Sequence, residues 1–185
     1  MRLFIAIPIP SSGMASRLSA HFRGMLARES IVWTKPENYH LTLLFLGDIP
    51  EKYVSDILEL MGAVAYDVDP FTLRVEKVGL FGSRYAPRVI WVGAQPTEIL
   101  TTLHERLSKV MEEVGYVADR QNFVPHLTLG RIKKVADKKQ LQRVLESQRE
   151  ALLYSGKVEE IVLYESVLSR EGPIYTVKGV SPLGC

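Results

Sequence analysis

Two short stretches of the chain share the sequence His-Leu-Thr-Leu, at residues 40–43 and again at residues 126–129. Successive side chains of a strand point to opposite faces, so each His and Thr share one face and the two leucines share the other. The leucines are therefore expected in a hydrophobic core, with His40, Thr42, His126 and Thr128 facing a cleft. A single copy is more typical of an ordinary half-buried strand, but two identical copies favour a shared function.

Paired histidines are suited to proton transfer. An imidazole titrates near neutral pH, so one ring can accept a proton while a protonated partner donates one. Displacement at phosphorus needs both events, because the attacking oxygen loses a proton and the leaving oxygen gains one. Each threonine hydroxyl can also donate a hydrogen bond to a phosphate oxygen. The two motifs therefore predict acid–base chemistry on a phosphate ester.

The two motifs belong to a larger repeat with an offset of 86 residues. At this offset Arg2 corresponds to Arg88, Pro10 to Pro96, and the apolar run 3–7 to residues 89–93. Each half is predicted as strand, helix, His-x-Thr strand, helix and strand, and such duplication implies a pseudo-twofold axis. We therefore predict an α+β fold, a two-lobed duplicated βαβαβ-type repeat with antiparallel sheets around a central cleft. Residues 1–185 are expected to form a single domain.

Local signals give the expected boundaries of several elements. Ser11 and Ser12 are candidate caps for the first helix, and Asp137 for the last. The final residues are predicted as a hairpin, with strands at 158–168 and 174–180. A turn is expected at residues 82–87.

The composition is that of an ordinary globular protein, with 46% hydrophobic and 24% charged residues and a net charge of +2. This charge is too small for a general nucleic-acid binder but permits a local basic cleft. The only cysteine is Cys185, which excludes a disulfide framework and favours a cytoplasmic setting. Pro8 and Pro10 interrupt the apolar start, so neither a signal peptide nor a membrane span is expected.

The chain resembles the two-histidine (2H) phosphoesterases, and among them the RNA 2',3'-cyclic phosphodiesterases, also called 2'-5' RNA ligases. The stretches that carry the resemblance are residues 2–7, 36–47, 87–93 and 125–131. They span most of the chain and occur in the family's order. The resemblance implies a two-lobed α+β fold around a cleft.

The resemblance also implies an activity and a role for each motif residue. The activity is opening of a terminal 2',3'-cyclic phosphate on RNA to a 2'-phosphate, with 2'-5' joining of RNA ends as a related reaction. His40 would be the proton donor to O3' and His126 the proton acceptor from water. Thr42 and Thr128 would bind phosphate oxygens, and Arg131 would add a charged contact. No metal or cofactor is expected, the partners would be RNA ends such as tRNA fragments, and the protein would be a monomer.

Three other interpretations remain open at this point. One is a metal site on His40 and His126, which lacks further ligands in any metal-binding spacing. Another is an RNA-end binding protein without catalysis. The third keeps the fold but acts on a small cyclic nucleotide or a 2',5'-oligonucleotide.

A few further residues have chemistry of interest but weaker signals. His21 and His104 are predicted on helix surfaces in contact with solvent. Lys133 and Lys134 could contact an RNA backbone or simply be solvated. Three aromatic residues could stack on a base, although a core position is favoured for them: Trp33, Tyr39 and Tyr85.

Overall fold

The computed structural model describes residues 1–83, 85–119 and 121–184. Cys185 lies outside the described residues, as do Arg84 in the predicted turn at 82–87 and Arg120.

Within these ranges the chain forms nine strands and four α-helices. Their bounds in chain order are β1 Arg2–Pro8, α1 Met14–Met25, β2 Ser30–Trp33, β3 His40–Asp48, α2 Val54–Tyr66, β4 Phe71–Gly82, β5 Pro87–Gln95, α3 Thr97–Met111, β6 His126–Lys134, α4 Lys138–Ser147, β7 Leu152–Val158, β8 Glu160–Ser169 and β9 Gly172–Pro182. Single 3₁₀ turns occur at Pro36–Asn38, Glu51–Tyr53 and Glu112–Val114. None of the helices in the described ranges combines the length and hydrophobicity that a membrane span requires.

The strands form one antiparallel sheet in the order β7-β4-β5-β6-β3-β1-β8-β9, and β2 pairs with β6 at its side. The two motif strands, β3 and β6, are neighbours at the centre of this order. They are joined through a single residue pair, Leu41 with Leu127. The predicted α+β fold with two related lobes is therefore confirmed. It differs from the expectation in one respect, because the two lobes share one continuous sheet.

The register corrects one detail of the predicted repeat. Ile7 of β1 lies opposite Leu41, and Val92 of β5 lies opposite Leu127. The neighbouring strands β1 and β5 are therefore related by 85 residues, whereas the motif strands are related by 86. Both ladders contain β-bulges, which allow neighbouring strands to differ by a residue in this way.

The leucines of both motifs lie in the core, as their alternation predicts. Leu41, Leu43, Leu127 and Leu129 are at most 1% exposed. Helix α3 packs on this side of β3, and α2 packs against α3 and β9. The helices thus cover the leucine face of the sheet and leave the histidine face open.

Some boundary predictions are confirmed and others are wrong. The Asp137 side chain accepts hydrogen bonds from the backbone N–H groups of Lys139 and Gln140, and so caps α4 as predicted. The first helix instead begins after Gly13, whose φ of 76° suits glycine, and has no side-chain cap. Strand β7 was missed. Val158 ends this strand, and β8 begins only at Glu160, after a break at Glu159.

Candidate active site

The two motifs meet on one wall of a cleft of about 790 Å³. His40, Thr42, His126, Thr128 and Arg131 all line this cleft, so the structure brings together every residue that the sequence analysis placed in the site. They come from strands β3 and β6, which start at the two histidines.

The pairing of Leu41 with Leu127 sets how the four motif side chains face each other. Because β3 and β6 are antiparallel, the register around this pair places His40 level with Thr128, and Thr42 level with His126. Each histidine therefore neighbours the threonine of the other motif across the strands. Side chains at such positions lie within roughly 5 Å at their Cβ atoms, close enough to bind one small anion together.

Both imidazoles are oriented by the same local contact. His40 Nδ1 lies 2.7 Å from the carbonyl oxygen of Asn38, and His126 Nδ1 lies 2.6 Å from that of Val124. In each case the acceptor is two residues earlier in the chain. A carbonyl only accepts, so Nδ1 carries a proton and donates it in both rings. The other nitrogen, Nε2, is therefore the atom that can gain or lose a proton.

The surroundings of His40 are aromatic. Its ring lies 5.0 Å from Phe4 and 5.1 Å from Tyr175, the latter edge-on at 89°. Its Nε2 is 3.1 Å from Thr42 Oγ1, and in the neutral form of the ring the hydroxyl donates to this nitrogen. The rings fix the imidazole in place and shield it from water.

A second aromatic pair surrounds His126. Phe81 lies 4.8 Å from the imidazole at an interplanar angle of 87°, and Trp91 lies 6.2 Å away. Gly79 allows this arrangement, because a Cβ there would lie 2.4 Å from the Trp91 ring. The two histidines thus have similar cages, although the rings come from strands at different places in the sequence.

Burial acts on the acidity of both histidines. Desolvation lowers the pKa of His40 below its usual value, the hydrogen bond to Asn38 opposes this, and the charge of His126 lowers the pKa further. Desolvation likewise lowers the pKa of His126, opposed by its bond to Val124. In both rings burial therefore favours the neutral form.

The cleft lining is electrically asymmetric, with cations in excess. Arg2, Lys35 and Arg131 supply positive charge, whereas Glu171 is the carboxylate of the lining and lies 3.8 Å from Lys35. Arg131 is exposed and forms no ion pair with a described residue. A cleft of this charge favours a phosphate ligand.

The remaining candidates from the sequence divide clearly. Trp33 lines the cleft, whereas Tyr39 is 2% exposed and Tyr85 is 81% exposed. The favoured core position is thus confirmed for Tyr39, which cannot stack on a base, and is wrong for Tyr85, which lies at the surface. Lys133 and Lys134 are exposed and lie outside the cleft lining.

The prediction for His104 is wrong, whereas His21 is exposed as expected. His104 is half-buried, and its Nδ1 lies 2.7 Å from the carbonyl oxygen of Leu43. Its ring stacks on Phe123 at 4.2 Å and 4°. Among the described residues, no three His, Cys, Asp or Glu side chains come together as metal ligands would.

Sequence reasoning missed the aromatic cages and Arg2 as parts of the site. Phe4, Phe81 and Tyr175 are ordinary strand residues in the sequence, and no spacing relates them to the motifs. The one available signal is alternation, because Phe4 and Arg2 share a face of β1.

The chain is similar to known proteins over most of its length. The family model described as LigT like Phosphoesterase matches it twice, at residues 7–91 and 92–175. An RNA 2',3'-cyclic phosphodiesterase of Methanocaldococcus jannaschii is 32% identical over 96% of this chain and 98% of its own length. A protein of the same name from Thermotoga maritima is 32% identical over 96% of this chain and 92% of its own length.

Solved structures show the same similarity in three dimensions. A Thermus thermophilus structure has a TM-score of 0.80 at 30% identity and covers 99% of this chain and 98% of its own. The structure of E. coli LigT complexed with 3'-AMP has a TM-score of 0.78 at 26% identity, over 98% of this chain and 97% of its own. With a duplicated fold, two His-x-Thr motifs in one cleft and a family match over both halves, the chain belongs to the LigT-like phosphoesterases of the 2H superfamily.

Proposed function

We propose that this protein opens the 2',3'-cyclic phosphate at an RNA end to a 2'-phosphate, by proton transfer between two histidines. The observation that carries the proposal is the matched orientation of His40 and His126, each with Nδ1 bonded to the backbone and Nε2 free to titrate in one cleft. Relatives that align over nearly the whole chain are named for this activity.

The reaction divides between the two rings. Neutral His126 accepts a proton at Nε2 from water as the water oxygen bonds to phosphorus. The bond from phosphorus to O3' breaks, and protonated His40 donates the Nε2 proton to O3'. The products are a 2'-phosphate and a 3'-hydroxyl. The proton gained by His126 and the one lost by His40 are then exchanged with solvent.

The phosphate oxygens need partners as negative charge increases in the transition state. The Thr42 and Thr128 hydroxyls, level with opposite histidines, donate to the non-bridging oxygens. Arg131 adds a positive charge from the same strand as His126 and Thr128. If the 5'-hydroxyl of a second RNA replaces water as the nucleophile, the same steps produce a 2'-5' linkage.

One assay tests the proposal directly. A short RNA ending in a 2',3'-cyclic phosphate is incubated with the protein, and the product end is identified by mass and by its resistance to a 3'-phosphatase. Gain of one water with a 2'-phosphate is expected. A product with a 3'-phosphate would contradict the assignment of O3' as leaving group. Binding without turnover would instead support the RNA-end binder, and turnover confined to small cyclic nucleotides would support the third interpretation.

A further inference from the structure

Arg2 is a second arginine of the cleft, and the proposed reaction leaves it without a role. It is exposed and lines the same cleft as both histidines. Its guanidinium carbon lies 5.2 Å from the centre of the Phe45 ring. Such stacking holds a guanidinium in place, while its N–H donors, which lie in the plane of the guanidinium itself, remain available.

The direction of the Arg2 side chain is informative. In the β1–β3 ladder the backbone of Arg2 pairs with Asp48, at the end far from the motif. No ion pair joins Arg2 to Asp48 or to any other described residue. The guanidinium lies instead over Phe45, which is nearer to Thr42 along β3. Arg2 thus lies over a side chain three residues from Thr42 and forms no ion pair with the carboxylate beside it.

The pseudo-twofold relation gives this position a meaning. Phe45 and Arg131 both follow their motif threonine by three residues, and they pair with Phe4 and Val89 in the two related ladders. Phe45 is thus the counterpart of Arg131. Because the guanidinium of Arg2 lies over Phe45, each lobe has an arginine at this position. Burial raises the pKa of the Tyr175 hydroxyl, and the charges of Arg131 and Arg2 both partly oppose this. Arg2, Arg131 and Tyr175 all line the same cleft.

A count of charges suggests what the second guanidinium binds. Lys35 lies beside Glu171, which leaves Arg2 and Arg131 as the cleft arginines without an ion-pair partner in the described ranges. A cyclic phosphate diester carries one negative charge. An RNA strand supplies a second, at the phosphodiester that joins the terminal nucleotide to the preceding one.

We propose that Arg2 binds this preceding phosphodiester and so makes the site select RNA ends over free nucleotides. Arg131 then serves the reacting phosphate, whose threonine partner lies on the same strand. This inference rests on the proposed function for its substrate, but it concerns binding and can be tested without turnover.

The test compares two ligands that the enzyme does not consume, a nucleoside 2'-phosphate and a dinucleotide that ends in a 2'-phosphate. Calorimetry gives the Kd of each for the unchanged protein, Arg2→Gln, Arg131→Gln and Arg88→Gln. Arg88 is the matched control, because it is an exposed arginine of β5, the strand that is the counterpart of β1, and lies outside the cleft lining.

Arg2→Gln should weaken dinucleotide binding by about tenfold more than mononucleotide binding, the usual scale for one charged hydrogen bond. Arg131→Gln should weaken both ligands by a similar factor, and Arg88→Gln should affect neither. A dinucleotide with an uncharged methylphosphonate linkage should bind to the unchanged protein and to Arg2→Gln with nearly equal affinity.

Equal weakening of both ligands by Arg2→Gln would overturn the proposal and place Arg2 at the reacting phosphate. No effect on either ligand would also overturn it. The proposed function fails separately, if the unchanged protein opens no cyclic phosphate. An Arg2-dependent preference for the dinucleotide would then still establish the second phosphate site.

Discussion

Leu41 and Leu127 face each other in the residue pair that joins the two motif strands, and they are the same position in the two copies of the motif. A pseudo-twofold axis between the copies must therefore pass through this pair. His40 and His126 lie next to it on opposite sides, so a phosphate on the axis contacts both motifs equally. Chemical roles must then be distinguished by what surrounds each histidine.

The donor and acceptor roles can be separated with a modified substrate. His40→Ala and His126→Ala should each lower kcat by about 10²–10⁴, the usual contribution of one general acid or base. Sulfur in place of O3' is a leaving group that needs no proton. With this substrate His40→Ala should regain most of its lost rate, while His126→Ala stays slow. Recovery in His126→Ala alone would reverse the assignment, and recovery in neither would indicate that the histidines only bind.

The two threonines should differ in their effect on the pH profile. Thr42 Oγ1 is 3.1 Å from His40 Nε2, and the hydrogen bonds described for His126 include none to Thr128. The hydrogen bond from protonated His40 to Thr42 Oγ1 is stronger than the bond between the neutral ring and the hydroxyl. The contact therefore favours the protonated form of His40. Thr42→Val should therefore move the alkaline limb of kcat/KM to lower pH.

Thr128→Val provides the matched control for this measurement. It should reduce the rate through the lost phosphate contact and leave both limbs in place. An equal shift of the alkaline limb in Thr42→Val and Thr128→Val would contradict the expected difference between the two threonines.

His104 is expected to position the site from outside the cleft. Its Nδ1–H donates to the carbonyl oxygen of Leu43. Leu43 is the extra residue of a β-bulge in β3, because Ile5 pairs with Leu44 and Ala6 with Thr42. The His104 ring stacks on Phe123. Phe123 directly precedes Val124, whose carbonyl orients His126. The His104 side chain thus contacts the backbone of the first motif and the residue before the carbonyl that orients His126.

Two substitutions separate the contacts of His104. Asn retains a donor at the place of Nδ1 without the ring, whereas Phe retains the stack without the donor. Each should lower kcat several-fold with little change in KM, and His104→Ala should lower it more than either. Changes in stability alone, with kcat intact in all three variants, would contradict a positioning role.

Burial of the two motif histidines should make stability depend on pH. Both pKa values are lowered in the folded protein, so the unfolded chain binds more protons below its ordinary histidine pKa of about 6.5. The free energy of unfolding should therefore be constant above this pH and fall as the pH decreases below it.

Urea unfolding at pH 7.5 and 5.5 measures this effect. His40→Gln should reduce the difference between the two pH values, whereas His21→Gln, at an exposed histidine, should retain it. A difference of the same size in His40→Gln as in the unchanged protein would show that other groups cause it.

Activity should not require a divalent metal. The proposed mechanism assigns both proton transfers to side chains, and the described residues contain no group of three metal-ligand side chains. Turnover is therefore expected to survive exhaustive chelation. Its loss on chelation and return with one particular metal would favour the metal-site interpretation.

How far the sequence predicts the site depends on which information is local. The alternation of core and cleft side chains at Leu41 and Thr42 is local information. Its repetition at residues 126–129 predicted both motif strands, the face that each side chain occupies and the relation between the two strands. The contact of Tyr175 with His40 is not local, because it depends on β8 pairing with β1 and on β9 pairing with β8. The prediction that His104 is solvated was wrong for the same reason. Its helical neighbours are charged, and its hydrogen-bond partner Leu43 lies 61 residues away.

The order of strands has a consequence for how the chain reaches its native state. Strand β4, from the first half, pairs with β5 of the second, and β8 of the second half pairs with β1 of the first. Each half therefore completes the other's lobe, as the exchanged arms of a swapped dimer do. Neither half has a full set of partners before its counterpart arrives. Folding should proceed as one cooperative event, limited by closing long loops, rather than as two successive ones.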